Sequence, residues 1–163
     1  VGEGVINCPE DQVAGIRDGL AGSGFDPTFA IDREPDGGPM AGIARGLEAV
    51  SATYTLVVAC DMPFVDPEFV EFLFDQAAGS DAAVPRPEEW YQTTQAVYRT
   101  DPMARACRRA LERGAGRIVA PLEELDVTVV DGVAIERVAS PDTFDNVNTR
   151  EEFVAATDKL AGE

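Results

Sequence analysis

Hydrophobic and polar positions along the chain switch repeatedly between a period of two and a period close to 3.6. Short apolar runs predict strands over residues 5–8, 28–31, 54–60, 82–85, 94–98, 127–130 and 133–138. Apolar residues at helical spacing predict helices over residues 9–20, 40–49, 102–113, 117–125 and 149–160, and one that starts at Asp66. The pair Asp131-Gly132, between the last two strands, is typical of a hairpin turn.

This alternation of strands and helices predicts an α/β fold, with three layers and a mostly parallel sheet. The 163 residues are enough for one domain with a substantial core. The near-continuous apolar run over residues 54–60 predicts a central parallel strand covered on both faces. The longest apolar run, residues 56–60, is too short to cross a bilayer.

Polar residues lie at the carboxyl ends of three of the predicted strands. They are Asn7, Asp32 and the Asp61 of Asp61-Met62-Pro63. Ligands of open α/β sheets bind beyond the carboxyl ends of the strands. The sequence therefore predicts that these three strand ends converge on one binding pocket.

Two of these segments have a functional and a purely structural interpretation. In the turn Gly38-Pro39-Met40-Ala41-Gly42, free amides at a helix start could hold a phosphate or a base edge, or the turn simply starts a helix. Asp61, directly after a buried strand, could hold Mg²⁺ between itself and substrate phosphates, or could cap the next turn.

Two further segments carry groups suited to binding. Asn146 and Asn148 flank a valine, so in an extended segment their amides point the same way, while Asn148 or Thr149 is also a candidate helix cap. Trp90 and Tyr91 could stack on a flat ring, but we expect them to cover an edge of the core.

Charge excludes several classes of partner. The chain has 30 acidic and 13 basic residues, a formal net charge of −17, a single lysine (Lys159) and no histidine. Such a surface repels nucleic acids and anionic membranes, and it is typical of proteins that stay hydrated in concentrated salt. Mechanisms that need a histidine or a phosphate-loop lysine are excluded within these residues.

The cysteines favour a reducing compartment. Cys8, Cys60 and Cys107 fit no zinc-binding spacing, and their odd number fits no closed disulfide framework. Two of them sit in apolar runs, which predicts small buried side chains. No signal peptide is recognisable, so we expect a cytoplasmic protein.

In this order and spacing, the segments resemble those of the molybdenum cofactor guanylyltransferases, which have a Rossmann-like nucleotidyltransferase fold. The matching residues are Val5-Ile6-Asn7, Ile31-Asp32, Gly38-Pro39-Met40-Ala41-Gly42, Cys60-Asp61-Met62-Pro63 and Asn146-Val147-Asn148-Thr149, with Glu151-Glu152. The likeness runs over nearly the whole chain. It implies transfer of GMP from GTP to molybdopterin with release of pyrophosphate.

The resemblance also implies a role for each matching residue. Asp61 would be the catalytic metal ligand, holding Mg²⁺ at the nucleotide. The other nucleotide-binding residues would be Asn7, Asp32, Gly38, Pro39 and Gly42. Asn146 and Asn148 would lie toward the molybdopterin. GTP and molybdopterin are the implied substrates, and proteins of molybdoenzyme maturation are the implied protein partners.

One family element is missing from these residues. The family begins with a strand and a Leu-Ala-Gly-Gly loop that ends in Arg-Met-Gly and a lysine and cradles the triphosphate; the sequence contains no such element. We expect the domain formed by residues 1–163 to lack its first strand and this loop, a preceding segment to carry them, and the domain alone to bind nucleotide poorly.

Three alternatives remain open at this stage. The first two keep the fold: cytidylyl transfer to molybdopterin, and guanylyl transfer to a cobalamin precursor. The third is a non-catalytic relative of the transferases that acts as a partner module.

Overall fold

A computed structural model describes residues 2–32 and 37–162 of the chain. The strands are β1 (Val5–Pro9), β2 (Thr28–Asp32), β3 (Tyr54–Val58), β4 (Ala82–Arg86), β5 (Gln95–Arg99) and β6 (Val127–Asp131). The helices are α1 (Val13–Gly19), α2 (Gly38–Glu48), α3 (Pro67–Ala77), α4 (Thr100–Glu112), α5 (Gly132–Glu136) and α6 (Arg150–Ala161). Short 3₁₀ helices cover Glu10–Gln12 and Ala120–Glu124.

The strands form two sheets. β1 and β2 pair in parallel, in a register that sets Val5 opposite Thr28 and Pro9 opposite Asp32. The other four strands are ordered β3-β5-β4-β6. The predicted α/β class with a mostly parallel sheet is confirmed.

In the larger sheet, β5 runs antiparallel to its neighbours β3 and β4. The start of β5 bonds to the ends of β3 and β4, and the end of β5 bonds to their starts. The bonds are Arg99 N to Asp81 O (2.8 Å), Gln92 N to Pro85 O (2.8 Å), Thr100 N to Thr53 O (2.9 Å) and Ala59 N to Thr94 O (3.0 Å). β3 and β4 therefore run in the same direction and end at the same edge of the sheet. β6 starts beside the start of β4, as in a parallel pair, because Ala82 N donates to Asp126 O.

The described residues form two compact units. Unit 1 comprises residues 2–32, 37–55, 80–82 and 98–127. Its core lies where α2 packs on α4, through the buried side chains of Met40, Ala44, Leu47, Met103 and Cys107. α4 is amphipathic, with arginines on the opposite face, so its apolar stripe faces α2.

Unit 2 comprises residues 56–79, 83–97 and 128–162. Phe69 and Leu73 of α3 are fully buried there, and the ring of Phe69 meets that of Phe144 edge to face at 5.6 Å. α3 starts at Pro67, after Asp66, whose side chain accepts from Glu68 N and Phe69 N. This cap gives the chain a sharp direction change directly after the segment that carries Asp61.

The prediction of a central, doubly covered strand over residues 54–60 was wrong. β3 stands at one end of the strand order among the described residues, four of its residues are only half-buried, and Val58 is 44% exposed. An apolar run shows that a strand packs against something, but it does not show how many strands flank it. That depends on pairings with residues distant in the sequence.

The hairpin predicted at Asp131-Gly132 was also wrong. Residues 132–136 form helix α5, and the Asp131 side chain accepts a hydrogen bond from Ala134 N at 2.9 Å. Asp before Gly serves equally well as a helix cap and as a turn, and here the cap is formed. The helix predicted over residues 117–125 is only the 3₁₀ helix Ala120–Glu124.

None of the helices in residues 2–32 and 37–162 has the length and the hydrophobicity that a transmembrane helix needs.

The start of α5 makes a close backbone contact that yields a test. A Cβ on Gly132 would lie 2.5 Å from the carbonyl oxygen of Pro87, a backbone atom that cannot move cheaply. We expect Gly132→Ala to lower the free energy of unfolding by about 1–3 kcal/mol, as overpacking does. Gly15→Ala in α1 is the matched control: its Cβ would meet nothing within 4 Å, and it should be neutral or stabilising. Equal denaturation midpoints for the two variants would contradict this.

Candidate functional site

Asn7 links the two strands of the small sheet through its side chain. Its amide Nδ2 donates to the carbonyl of Ala30 at 2.9 Å, and Ala30 is its partner in the strand register. The side chain is half-buried, so this bond fixes the amide group in one orientation. Its Oδ1 atom is thereby turned toward α2.

Gly42 of α2 makes room for that oxygen. A Cβ at this position would lie 2.5 Å from Asn7 Oδ1, well inside contact distance. A Cβ on Gly46, one turn further along the same helix, would have nothing within 4 Å. The glycine at position 42 is therefore required by the approach of Asn7, whereas that at position 46 is not.

The start of α2 is built as the sequence predicts for a turn with open amides. Gly38 has a φ of +70°, which disfavours residues with a side chain, and Pro39 occupies the first turn. Gly37, the N-cap, provides no side-chain acceptor. Within the described part of the chain, no side chain caps the amide groups of this first turn, and Gly38 and Pro39 are exposed.

Asp32 is the last residue of β2 and lies opposite Pro9, the last residue of β1. Its side chain is half-buried. The sequence also predicts a polar, glycine- and proline-rich loop over residues 32–39, and residues 33–36 of that loop lie outside the described part of the chain. Within unit 1, the sheet register thus sets the ends of β1 and β2 side by side, while Gly42 of α2 lies against Asn7 in the middle of β1.

Asp61 lies in unit 2, three residues beyond the end of β3. Its Oδ1 atom is buried and has no hydrogen-bond partner among the described residues. The N-cap of the next helix, α3, is Asp66 rather than Asp61. A buried, unpaired carboxylate oxygen is costly unless a cation or a donor from a ligand completes it.

The backbone of Asp61 holds the segment before α6. Its carbonyl accepts from Val147 N at 2.8 Å. Val147 is half-buried while Asn146 and Asn148 are exposed, so both amides point away from the protein, as the alternation predicts. Unit 2 therefore places the predicted acceptor-side amides next to the predicted metal ligand.

The helix cap predicted near Asn148 is Thr149. Its hydroxyl accepts from Glu152 N, and the Glu152 carboxylate accepts from Thr149 N at 2.9 Å, a complete capping box. The same carboxylate accepts from Asn148 N at 2.7 Å. The backbone N–H groups of Asn148 and Thr149, and then the Thr149 hydroxyl, hold the pKa of Glu152 below its usual range. Desolvation opposes this shift only in part.

Sequence reasoning missed a buried polar cluster behind this segment. Gln95 and Thr143 are fully buried, and Gln95 Nε2 donates to Thr143 Oγ1 at 2.8 Å. The same hydroxyl oxygen accepts from Asp66 N, and Asp66 Oδ2 accepts from Ser140 N at 2.7 Å. Gln95 Oε1 has no partner among the described residues. The available signal was a glutamine inside the apolar run 94–98.

The site residues predicted from the sequence thus fall into two groups. Asn7, Asp32, Gly38, Pro39 and Gly42 lie in unit 1. Asp61, Asn146 and Asn148 lie in unit 2. Among the described residues, no group of three or more Asp, Glu, Cys or His side chains could hold a metal ion.

Trp90 does not cover the core edge that the sequence led us to expect. Its side chain is 70% exposed in the loop between β4 and β5. Tyr91 is half-buried, and the guanidinium of Arg86 lies 5.7 Å from the centre of its ring.

The three cysteines occupy different environments. Cys8 and Cys107 are buried, whereas Cys60, next to Asp61, is exposed. Desolvation raises the pKa of Cys107 to about 12. It also raises the pKa of Cys8, with a smaller contribution from the charge of Asp11.

Comparison with known proteins gives concordant matches. The family model for the MobA-like NTP transferase domain matches residues 1–127. A probable molybdenum cofactor guanylyltransferase of Natronomonas pharaonis is 47% identical over 157 residues, which span 96% of this chain and 77% of the relative. A probable molybdenum cofactor guanylyltransferase of Haloferax mediterranei is 34% identical over 161 residues, 98% of this chain and 75% of the relative.

A solved structure agrees with both relatives. The crystal structure of molybdopterin-guanine dinucleotide biosynthesis protein A from Archaeoglobus fulgidus superposes with a TM-score of 0.74 at 27% identity. The match covers 98% of this chain and 79% of that one.

The contact between Asn7 and Gly42 can be tested with a double-mutant cycle. Gly42→Ala should destabilise the protein by about 1–3 kcal/mol because the new methyl group collides with Asn7 Oδ1. In Gly42→Ala/Asn7→Ala the collision is gone, so the double variant should be more stable than the sum of the single effects by about 1 kcal/mol. Gly46→Ala in the same helix should stabilise by about 0.5–1 kcal/mol. Strict additivity in urea unfolding would refute the contact.

The capping box makes stability depend on pH. Because the pKa of Glu152 is lower in the folded than in the unfolded state, its contribution is complete above the ordinary glutamate pKa of 4.5. It is lost as the pH falls through the folded-state pKa. Glu152→Gln should therefore be less stable than the wild type at pH 7, and the difference should shrink toward pH 3. Thermal unfolding at several pH values measures this, with the exposed Glu151→Gln as control; a difference independent of pH would count against it.

Proposed function

The chain belongs to the family of the MobA-like NTP transferase domain, and from this we propose that it transfers GMP from GTP to molybdopterin, giving the guanine dinucleotide and pyrophosphate. The relatives named as probable molybdenum cofactor guanylyltransferases cover nearly the whole chain, which supports this substrate pair. As a member of a nucleotidyltransferase family, the protein is a transferase.

The proposal rests on the environment of the Asp61 side chain. Its Oδ1 is buried and unpaired among the described residues, while its backbone carbonyl is tied to the segment that presents Asn146 and Asn148. A carboxylate with no internal partner, at the end of a strand of an α/β sheet, is suited to a cation brought in with the substrate. A purely structural aspartate would instead have its oxygens satisfied.

The residues present fit a magnesium ion that is bound together with a nucleotide. Mg²⁺ is commonly held by one or two carboxylates together with substrate phosphates and several waters, so it needs no cluster of protein ligands. Asp61 would hold it through Oδ1. When bound, such an ion neutralises charge on the triphosphate and orients it.

The reaction itself asks little of acids and bases. A phosphate oxygen of molybdopterin forms a bond to the α-phosphorus of GTP, and the bond from that phosphorus to the bridging oxygen of the β-phosphate breaks, so pyrophosphate leaves. Positioning and charge neutralisation dominate such transfers. The absence of histidine from the sequence is compatible with this chemistry.

We assign the nucleotide to the residues of unit 1. Asp32, at the end of β2, offers a carboxylate for the N–H donors of a guanine edge or for ribose hydroxyls. The uncapped first turn of α2, with Gly38 and Pro39, offers backbone amides. Asn7 and Gly42 act as a pair, because the side chain of Asn7 fits against the backbone of Gly42.

We assign the acceptor to the residues of unit 2. The exposed amides of Asn146 and Asn148 can both donate and accept hydrogen bonds, as the polar edge of a pterin requires. Proteins of molybdoenzyme maturation are the proposed recipients of the product.

Replacing Asp61 by Asn tests the metal assignment. In protein expressed from its complete gene, Asp61→Asn should lower GMP transfer by roughly 10³-fold, because several kcal/mol of charge stabilisation at the transition state is lost. The variant should also bind Mn²⁺–GTP more weakly, which paramagnetic resonance of the Mn²⁺ measures without turnover.

Asp75→Asn is the control, since Asp75 is an exposed acid on α3 in the same unit. Normal turnover of the Asp61 variant would remove the metal assignment. Competition between GTP and CTP and identification of the product would decide the substrates. Binding of GTP with no transfer to any acceptor would favour a non-catalytic partner module.

A further inference from the structure

The loop between β4 and β5 carries binding groups that the nucleotidyl transfer has not yet used. We propose that this loop, residues 87–94, is the part of the acceptor site that recognises the flat pterin ring: Trp90 stacks on the face of the ring, and Arg86 at the end of β4 binds the phosphate that attacks GTP. This inference rests on the proposed function, and it adds a substrate contact to it.

The sheet topology places the loop at the same edge as Asp61. β5 is antiparallel to both β3 and β4, so the carboxyl ends of β3 and β4 lie beside the start of β5. The end of β3 is fixed there by the bond from Ala59 N to Thr94 O, and the end of β4 by the bond from Gln92 N to Pro85 O. With one strand between them, the two ends lie about 10 Å apart.

The base of the loop is held firmly. Besides the bond of Gln92 to β4, the carbonyl of Pro87 packs against Gly132 at the start of α5. Tyr91 is half-buried, and the guanidinium of Arg86 lies over its ring. A loop fixed at both ends loses little conformational freedom when a ligand binds.

Trp90 differs from the residues at the two ends of the loop, which are held in place. Its side chain is 70% exposed, although the residues at both ends of the loop are held in place. An indole held on a fixed loop offers a large flat face with only two rotatable bonds, which suits stacking on another flat ring. The only aromatic side chain of comparable exposure among the described residues is Phe153, which lies on α6.

One cation near Trp90 is suited to the phosphate of a pterin. Arg86 is exposed and forms no ion pair among the described residues, so it is available to an anion in a strongly acidic protein. Glu88 and Glu89 are exposed carboxylates next to Trp90. A carboxylate can accept from the parallel N–H donors of a pterin edge, so these acids are compatible with the ring and Arg86 with its phosphate.

Steady-state kinetics of the protein from its complete gene test the proposal. Trp90→Ala should raise the KM for molybdopterin about tenfold while leaving the KM for GTP and the kcat at saturating acceptor nearly unchanged. Trp90→Phe should retain most of the affinity because it keeps a stacking face. Arg86→Ala should also raise the acceptor KM. Phe25→Ala is the control: Phe25 is exposed but lies before the start of β2, and its variant should keep the wild-type acceptor KM.

Fluorescence gives a second readout that needs no turnover. Trp90 is the only tryptophan of this chain, so its emission, taken as the difference between wild type and Trp90→Phe, reports on the loop alone. Hydroxymethylpterin phosphate should quench this emission saturably, and more strongly than GTP.

The outcomes separate the two proposals. If the wild type transfers GMP to molybdopterin but Trp90→Ala and Arg86→Ala keep the wild-type acceptor KM, the role of the loop is refuted and the proposed function stands. If GTP rather than the pterin quenches Trp90, the loop belongs to the nucleotide and the inference is overturned. If the wild type transfers no GMP to molybdopterin, the proposed function fails, and a lack of quenching by the pterin phosphate then refutes the inference as well.

Discussion

A single backbone hydrogen bond, from Val147 N to the carbonyl of Asp61, joins two segments of unit 2 that carry proposed site residues. One segment follows β3 and carries a carboxylate with an unpaired buried oxygen; the other precedes α6 and carries two exposed amides. Because the bond uses main-chain atoms, the side chains on both segments stay available for ligands. The spacing of the two segments is thus set by main-chain atoms.

A second group of hydrogen bonds in unit 2 is centred on the buried hydroxyl of Thr143. Thr143 Oγ1 accepts from Gln95 Nε2 and from Asp66 N, and the two carboxylate oxygens of Asp66 are divided between the start of α3 and Ser140. A strand, a helix start and a loop are therefore held at one point. Buried polar groups favour a single arrangement where they are paired, and Gln95 Oε1 is the atom of this cluster with no partner among the described residues.

Local chemistry was enough to predict most elements, the helix cap at Thr149 and the alternation of Asn146, Val147 and Asn148, because each of these depends on neighbours in the sequence. What failed depended on distant partners. The position of β3 in the sheet follows from its pairing with β5. The pair Asp131-Gly132 can form either a helix cap or a hairpin turn, and the structure has the helix cap. The fit of Asn7 against Gly42 and the contact of Gln95 with Thr143 join residues more than 30 positions apart, which no local pattern records. The resemblance to a family supplied the predicted roles of the site residues, which periodicity could not.

Unequal burial of the three thiols has a practical consequence. Cys8 and Cys107 are shielded by the protein and have raised pKa values, whereas Cys60 is exposed beside Asp61. Thiol reagents attack the accessible thiolate, so a maleimide dye under mild conditions would attach at one defined place. The native sequence already provides a labelling position from which a fluorophore can follow the arrival of substrates, with no engineered cysteine.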